Sequence, residues 1–207
     1  MIGVIDYGAG NIGNVMRALA ALKMPAEVLR KPNDEKEPLS LLILPGVGAF
    51  PAAYRHLKEA GWTDFLKEYR DGGGAILGIC LGMQMLCEGS FEEGYTPGLG
   101  FIPGEVVRLE AKPWPHIGWN ELRWRKDWAA EFDAKPFKGT DVYFVHGYCL
   151  LESQACIATT EVGERSFVSA VKRGAVMGFQ FHPERSGKPG LALFKSAILS
   201  LTGGERK

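Results

Sequence analysis

Short apolar runs alternate with longer amphipathic stretches through the first half of the chain. The runs Ile2–Ile5, Ala26–Leu29 and Leu41–Leu44 have the length and composition of buried strands, and Asn14–Lys23 has helical periodicity. Strands that alternate with helices in this way form βαβ units, whose strands are parallel. The pattern therefore predicts a mainly parallel sheet flanked by helices.

The same alternation continues into the middle of the chain. We expect a helical region from about Phe50 to Tyr69, a break at Gly72–Gly74, a strand at Ala75–Ile79 and a helix at Leu81–Glu88. These segments extend the α/β pattern.

From Glu105 onward, strand-like segments follow one another. They are Glu105–Leu109, Ile117–Trp124, Val142–Val145, Ala155–Thr160, Phe167–Val171 and Val176–Phe181. A closing helix is expected at Leu191–Leu201, after Pro189 and Gly190. We therefore expect an α/β fold with an antiparallel β portion added to the parallel sheet. No linker-like stretch interrupts the chain, so residues 1–207 are expected to form one domain.

The charge balance argues against two classes of partner. Lys plus Arg and Asp plus Glu both total 24, so no basic excess would attract a nucleic acid or an anionic membrane. The N-terminus lacks the features of a signal peptide, and no apolar run approaches the ~20 residues of a membrane span. A cytoplasmic location is expected.

The sharpest local signal is Gly78-Ile79-Cys80-Leu81-Gly82, between a predicted strand and a predicted helix. This is the nucleophile-elbow pattern with cysteine in place of serine, in which glycines permit a strained turn at a helix N-terminus. The helix dipole there favours the thiolate, and the backbone N–H of Leu81 is placed to stabilise an oxyanion. Cys80 is therefore a candidate nucleophile, although free cysteines are also common in protein cores.

A candidate base and its orienting acid follow the apolar run Val176–Phe181. If strand geometry persists through His182-Pro183-Glu184, the His182 and Glu184 side chains point to the same face. The carboxylate would then orient the imidazole, while the imidazole takes the Cys80 proton. His146 is the competing base, but it has no acid two residues away.

The segment Pro45-Gly46-Val47-Gly48 follows the predicted strand Leu41–Leu44 and precedes a helix. A glycine-rich turn at this place presents bare backbone N–H groups, which would complement the Leu81 amide in holding an oxyanion. An ordinary tight turn is the simpler alternative for the same residues.

A second glycine pattern, Gly8-Ala9-Gly10-Asn11-Ile12-Gly13, matches the dinucleotide-binding fingerprint and lies between a strand and a helix. No acidic residue directly follows Leu29 to bind a ribose hydroxyl, but Arg30 would suit a 2′-phosphate. A module that binds NADP is thus an alternative of a different class, which titration with NAD and NADP would test.

No metal site or cofactor is expected. The histidines are scattered, and none pairs closely with another or with a cysteine. The four cysteines show neither a CxxC pair nor the density of a disulfide scaffold, so they are expected to be thiols.

Taken together, Leu77–Gln84, His182–Glu184 and Pro45–Gly48 resemble the motifs of the class I (triad) glutamine amidotransferases. The resemblance implies a glutaminase whose triad is Cys80, His182 and Glu184. It implies an oxyanion hole at Val47, Gly48 and Leu81. The residues that it implies for glutamine binding are Gly46, Gly48, Gln84, His146 and Tyr148.

Within that family, Asp6–Asn11, Pro115–Asn120 and Tyr143–His146 resemble the glutaminase subunits of imidazole glycerol phosphate synthases. The resemblance implies a heterodimer with a cyclase subunit built as a (βα)8 barrel, to which ammonia from L-glutamine passes through a channel. The cyclase would make imidazole glycerol phosphate and an aminoimidazole carboxamide ribotide in histidine biosynthesis. A glutaminase of another pathway is the alternative. Gly147 departs from the pattern, because this branch usually has serine there.

Overall fold

The protein is described by a computed structural model covering residues 1–125 and 137–203. The α-helices of this part are α1 Ile12–Ala21, α2 Phe50–Glu59, α3 Trp62–Asp71, α4 Leu81–Leu86 and α5 Gly187–Thr202. A 3-10 turn at Pro183–Arg185 precedes α5. Within the two described ranges, no helix combines the length and the apolar character needed to cross a membrane.

The strands of the first half are β1 Ile2–Ile5, β2 Ala26–Leu29, β3 Leu41–Gly46, β4 Ile76–Cys80, β5 Cys87–Ser90, β6 Thr96–Pro97 and β7 Ile102–Arg108. Those of the second half are β8 His116–Glu121, β9 Arg123–Trp124, β10 Asp141–His146, β11 Tyr148–Leu150, β12 Cys156–Val162, β13 Arg165–Arg173 and β14 Val176–Phe179.

Eight strands form the central sheet, in the order β2-β1-β3-β4-β14-β13-β12-β9. The first five are parallel, as the βαβ pattern predicts, whereas β13, β12 and β9 extend the sheet in antiparallel pairs. The predicted antiparallel portion is thus partly within the main sheet. Because β4 lies between β3 and β14, the segments that follow these three strands meet at one edge.

Apolar side chains cover both faces of this sheet. In β3, Ile43 packs with the core on one face, whereas Leu42 and Leu44 pack with the core on the other. Helices α1 and α5 contribute to the first core and α2, α3 and α4 to the second. Burial on both faces explains why the parallel strands are continuously apolar rather than alternating.

Two smaller sheets complete the fold. β10 pairs with β8 in an antiparallel ribbon, and four strands form a second sheet in the order β11-β7-β5-β6. Phe144 of β10 is buried with the α1 and α5 side, and Val106 of β7 is buried with the α2 side. The ribbon thereby brings the end of β10 close to the edge where β4 and β14 finish.

Several predicted helix boundaries were wrong. The helical region over residues 50–69 is two helices, because Gly61 adopts a left-handed backbone with φ 78° between α2 and α3. The helix predicted at Leu81–Glu88 ends at Leu86, and Cys87–Ser90 forms β5. α5 begins four residues before Leu191 because a proline in the first turn of a helix loses no hydrogen bond.

Candidate active site

The candidate triad residues lie at the carboxyl ends of neighbouring parallel strands. In the register of the sheet, Gly46 of β3 is level with Cys80 of β4, and Phe179 of β14 is level with Ile79. The segment after Phe179, which leads to His182, therefore starts beside Cys80. Open α/β sheets place their ligands at this edge.

Cys80 occupies a strained turn between β4 and α4. Its backbone has φ 53° and ψ −112°, a combination that costs a non-glycine residue roughly 1–3 kcal/mol. The flanking glycines permit the turn, because a Cβ on Gly78 would lie 2.7 Å from Met83 N and one on Gly82 would lie 1.8 Å from Leu44 O. The predicted elbow geometry is therefore present, with Cys80 at the N-terminus of α4.

His182 and Glu184 lie side by side, but strand geometry is not the reason. β14 ends at Phe179, two residues earlier than predicted, and Pro183–Arg185 forms a 3-10 turn. This turn brings His182 Nδ1 within 2.8 Å of Glu184 Oε1, and both side chains are almost wholly buried. His182 and Glu184 are therefore close, as expected. The reason given for it, that the strand continues through Glu184, was wrong.

Two neighbours that the sequence did not single out hold the backbone of His182. Its N–H donates to Tyr143 O over 3.0 Å, and its carbonyl accepts a hydrogen bond of 2.6 Å from Ser186 Oγ. Ser186 Oγ also accepts from the Tyr143 N–H at 2.9 Å. β10 and the start of α5 therefore position the imidazole. A serine four residues after a histidine carries no signal by which sequence analysis could have found it.

The pKa of His182 is set by opposing effects. Burial lowers it, but the interactions with Cys80 and Glu184 outweigh burial and raise the pKa to about 10. His182 Nε2 makes no hydrogen bond within residues 1–125 and 137–203, and Cys80 is the group besides Glu184 that raises the pKa of the ring. Burial, and then the charge of Cys80, also raise the pKa of Tyr7.

A cavity of about 310 Å³ opens in front of Cys80 and His182, at the small end of the usual range for ligand sites. The predicted oxyanion residues that line it are Val47, Gly48 and Leu81. The predicted glutamine-binding residues that line it are Gly48, Gln84, His146 and Tyr148. Gly46 lies behind this cavity, next to a smaller void that Asn11, His182 and Glu184 also border.

The ring of His146 is engaged with groups other than Cys80. Its Nδ1 lies 2.9 Å from Tyr148 O, and its Nε2 lies 3.1 Å from His116 Nδ1. Burial lowers the pKa of His146 to about 4, although the hydrogen bond to Tyr148 O acts in the opposite direction. Both ring nitrogens are therefore occupied in a neutral imidazole, and the geometry favours His182 over His146 as the base.

Gln84 belongs to a buried polar chain beside Cys80. Its Nε2 donates to Tyr148 O at 2.9 Å and to Gln180 Oε1 at 3.0 Å. Gln180, which sequence analysis missed, places its own Nε2 3.8 Å from Cys80 Sγ. The available signal was a glutamine inside the apolar run Val176–Phe181, because a polar residue in a buried segment needs a partner.

The Gly8–Gly13 turn connects β1 to α1, as the fingerprint requires. Its Asn11 accepts a hydrogen bond from the Asn14 N–H and caps α1. Arg30, the residue that would suit a 2′-phosphate, lies 3.8 Å from Asp6 in an exposed ion pair. These contacts give the segment a structural role at the start of α1.

The four cysteines are free thiols, as predicted, and all are buried. Burial raises the pKa of Cys87 and of Cys149 to about 12, so neither is an activated nucleophile. Across the described ranges, no three His, Cys, Asp or Glu side chains are grouped as metal ligands.

The chain matches known sequences along almost all of its length. Residues 3–199 match the family described as glutamine amidotransferase class-I. The chain is 42% identical to the imidazole glycerol phosphate synthase subunit HisH of Moorella thermoacetica, over 94% of this chain and 92% of the relative. It is 44% identical to the subunit of the same name from Carboxydothermus hydrogenoformans, over 93% of this chain and 96% of the relative.

Solved structures share the fold at lower identity. A crystal structure of a glutamine amidotransferase matches with a TM-score of 0.74 and 22% identity, over 98% of both chains. The structure of PurLQS from Thermotoga maritima matches with a TM-score of 0.72 and 20% identity, over 97% of this chain and 98% of the other. These likenesses concern the fold, whereas the sequence matches concern the family. The chain belongs to the class-I glutamine amidotransferases.

Proposed function

We propose that this chain is the glutaminase subunit of an imidazole glycerol phosphate synthase. The observation that carries the proposal is the cysteine elbow at Cys80 beside the buried pair of His182 and Glu184, in a chain 42% and 44% identical to subunits of that name. The matched regions span 92% and 96% of those relatives, so the likeness extends well beyond the motifs.

In the proposed reaction, the Cys80 sulfur attacks the amide carbon of L-glutamine after its proton has passed to His182. The C–S bond forms as the carbonyl electron pair moves to oxygen. The backbone N–H of Leu81 and a donor in Val47–Gly48 stabilise this oxyanion. His182 then protonates the leaving nitrogen, and ammonia departs from a glutamyl thioester. Water, which gives a proton to His182, hydrolyses the thioester to glutamate and restores the thiol.

Glu184 is proposed to orient His182 throughout this cycle. The distance of 2.8 Å between Nδ1 and Oε1 supports this role, since it fixes the ring so that Nε2 remains available to Cys80. The carboxylate also balances the imidazolium charge in a site with little solvent. Ser186 Oγ donates to the His182 carbonyl and accepts from the Tyr143 N–H, and these hydrogen bonds hold the backbone that carries the ring.

Glutamine is proposed to bind in the cavity in front of Cys80. Gly48, Gln84 and Tyr148 line that cavity and support the proposal. The ring of His146 is engaged elsewhere, so its contribution to binding comes from its backbone. Gly46 lies behind that cavity, so its proposed part in binding is indirect. It lets the end of β3 approach α4 closely, since a Cβ there would lie 2.8 Å from Gly82 N.

The departure at Gly147 has a local explanation. A Cβ at Gly147 would lie 2.7 Å from Trp114 Cζ2, and the Trp114 indole N–H donates to Gly147 O at 2.9 Å. The Trp114 ring also packs edge-on against Tyr148, with ring centroids 6.4 Å apart. The indole therefore fills the space that a serine side chain would enter and supports the cavity wall from outside.

The relatives are named as a subunit of a synthase, which implies a second subunit that uses the ammonia. We propose a heterodimer with a cyclase subunit built as a (βα)8 barrel, linked to Cys80 by an ammonia channel. In this scheme the cyclase joins ammonia to a phosphoribulosyl aminoimidazole carboxamide ribotide. The products are imidazole glycerol phosphate and an aminoimidazole carboxamide ribotide.

Glutamate release from glutamine tests this proposal. The chain is assayed alone, with a histidine-pathway cyclase subunit, and with that subunit plus its ribotide ligand. We expect strong stimulation by subunit and ligand together, and loss of glutamate release in Cys80→Ala. Activity without stimulation would remove the pathway assignment in favour of another glutaminase, and turnover by Cys80→Ala would remove the nucleophile assignment.

A further inference from the structure

The Cys80 sulfur has two polar contacts besides its interaction with His182. Gln180 Nε2 lies 3.8 Å from Sγ, and Val145 O lies 3.9 Å from it. A thiol donates its S–H to the Val145 carbonyl, whereas a thiolate accepts from the Gln180 amide. The two contacts therefore favour opposite charge states of the sulfur.

The orientation of the Gln180 amide follows from its neighbours. A backbone carbonyl only accepts, so the Gln84 atom that lies 2.9 Å from Tyr148 O is the NH₂ nitrogen. The same nitrogen lies 3.0 Å from Gln180, which must present its carbonyl oxygen there. The NH₂ group of Gln180 is consequently turned towards Cys80 Sγ.

The contact between Gln180 and the sulfur matters because the Gln180 side chain is buried. Gln180 is fully buried, and a buried NH₂ group without an acceptor costs free energy. Within residues 1–125 and 137–203, Cys80 Sγ is the acceptor that this NH₂ group contacts. The neighbours of Gln180 along the chain, Phe179 and Phe181, are fully buried apolar residues. A glutamine in that run is therefore explained by the sulfur that it faces and by Gln84.

We propose that Gln180 is a further catalytic residue, whose NH₂ group donates to the Cys80 sulfur and stabilises the thiolate, with Gln84 as the positioning residue that fixes the amide. This inference rests on the proposed function, in which Cys80 is the nucleophile. In the step concerned, one proton moves from Sγ to His182 Nε2. The thiol then loses its hydrogen bond to Val145 O, and the Gln180 hydrogen bond becomes charge-assisted.

Gln180 itself is neutral, so replacing it changes no charge in the site. Among the described residues, the titratable and charged groups around the cavity and the triad are Tyr7, Glu92, His146, Tyr148, His182, Glu184 and Arg185. All of these remain in a Gln180 variant. A change in the titration of the sulfur in such a variant therefore reports the amide contact.

The test is the rate of Cys80 alkylation by iodoacetamide as a function of pH, measured on the full chain by peptide mass spectrometry. Gln180→Met keeps the side-chain length and removes the donor. We expect the midpoint of the profile to move to higher pH, with alkylation about tenfold slower at neutral pH, because a hydrogen bond to a charged group is lost. The plateau at alkaline pH should not change, because access to the sulfur is the same.

Two further variants make the test decisive. Thr160→Val removes the hydrogen bond of another fully buried side chain, from Thr160 Oγ1 to Glu121 O, on a strand three positions from β4 in the sheet. Its alkylation midpoint should match the wild type. Gln84→Met frees the Gln180 amide to rotate and should move the midpoint in the same direction by a smaller amount.

An unchanged midpoint in folded Gln180→Met would overturn the proposal. If that variant does not fold, an unchanged midpoint in Gln84→Met overturns it instead. Alkylation requires no glutamine turnover, so the result is independent of the glutaminase assay. A shifted midpoint in a chain without glutaminase activity would support the Gln180 contact while removing the proposed function.

Discussion

His182 Nδ1 lies 2.8 Å from Glu184 Oε1, and both side chains are almost wholly shielded from solvent. A carboxylate in such surroundings fixes the orientation of the ring and stabilises its protonated form. In the proposed reaction this pair orients the imidazole towards Cys80, and replacing either residue tests that role.

Glu184→Gln should lower kcat/KM for glutamine by about 10²–10⁴-fold, because the amide cannot balance the imidazolium and permits the wrong tautomer. The measurement is glutamate release in the stimulated complex. Glu59→Gln, at the exposed end of α2, makes the same chemical change on the surface and should retain wild-type activity. Near-normal activity in Glu184→Gln would contradict the orienting role.

The raised pKa of His182 also predicts a pH-dependent stability. The folded-state pKa is about 10, above the ordinary value of 6.5, so the folded protein binds the proton more tightly than the unfolded chain. This contribution is fully present below pH 6.5 and is lost as pH rises towards 10. The difference in free energy of unfolding between wild type and His182→Gln, from urea titrations, should shrink over that interval. A constant difference would contradict the assignment.

Gly82→Ala should destabilise the fold strongly. Its Cβ would lie 1.8 Å from Leu44 O, which is backbone of the adjacent strand and cannot move aside. We expect a loss of about 3 kcal/mol or more in the free energy of unfolding, or failure to fold. Gly163→Ala is the matched control, since Gly163 has φ 60° but open space around it, and it should cost only about 1–2 kcal/mol. Equal losses would contradict the proposed close approach at the elbow.

Gly147→Ser should displace the Trp114 indole, which is 44% exposed. The variant should lose about 1 kcal/mol of stability with the hydrogen bond from the indole to Gly147 O. Combined with Trp114→Ala, it should lose less than the sum of the single changes, with a coupling of roughly 0.5 kcal/mol or more. Strict additivity in this double-mutant cycle would show that the two residues do not compete for space.

Much of the fold could be predicted because strands and helices of an α/β protein have distinct lengths and periodicities. The boundaries that failed are those where periodicity is uninformative. A helix that runs directly into a strand with no turn between them, as α4 runs into β5, gives no local signal for the boundary. The break at Gly61 depends on a single left-handed residue, and nothing in the helical pattern on either side of it requires that conformation.

Some residues of the candidate site could likewise be proposed from the sequence and others could not. Cys80, His182 and Glu184 could be proposed because a nucleophile, a base and an acid have recognisable residue types in recognisable spacings. The roles of Gln180 and Ser186 could not be proposed. A glutamine in an apolar run signals that it needs a partner, but which backbone and sulfur atoms come within reach depends on the fold. The pairing of β14 with β4 creates those neighbours, and a pairing between strands distant in sequence leaves no local pattern.

In the proposed reaction, Cys80 carries the glutamyl group during glutamine hydrolysis. The most direct measurement is mass spectrometry of the Cys80 peptide after rapid acid quenching of the stimulated complex during turnover with labelled glutamine. We expect a labelled glutamyl thioester on Cys80, absent from Cys80→Ala and from samples without glutamine. Glutamate release with no adduct on Cys80, or with the label on another residue, would contradict it.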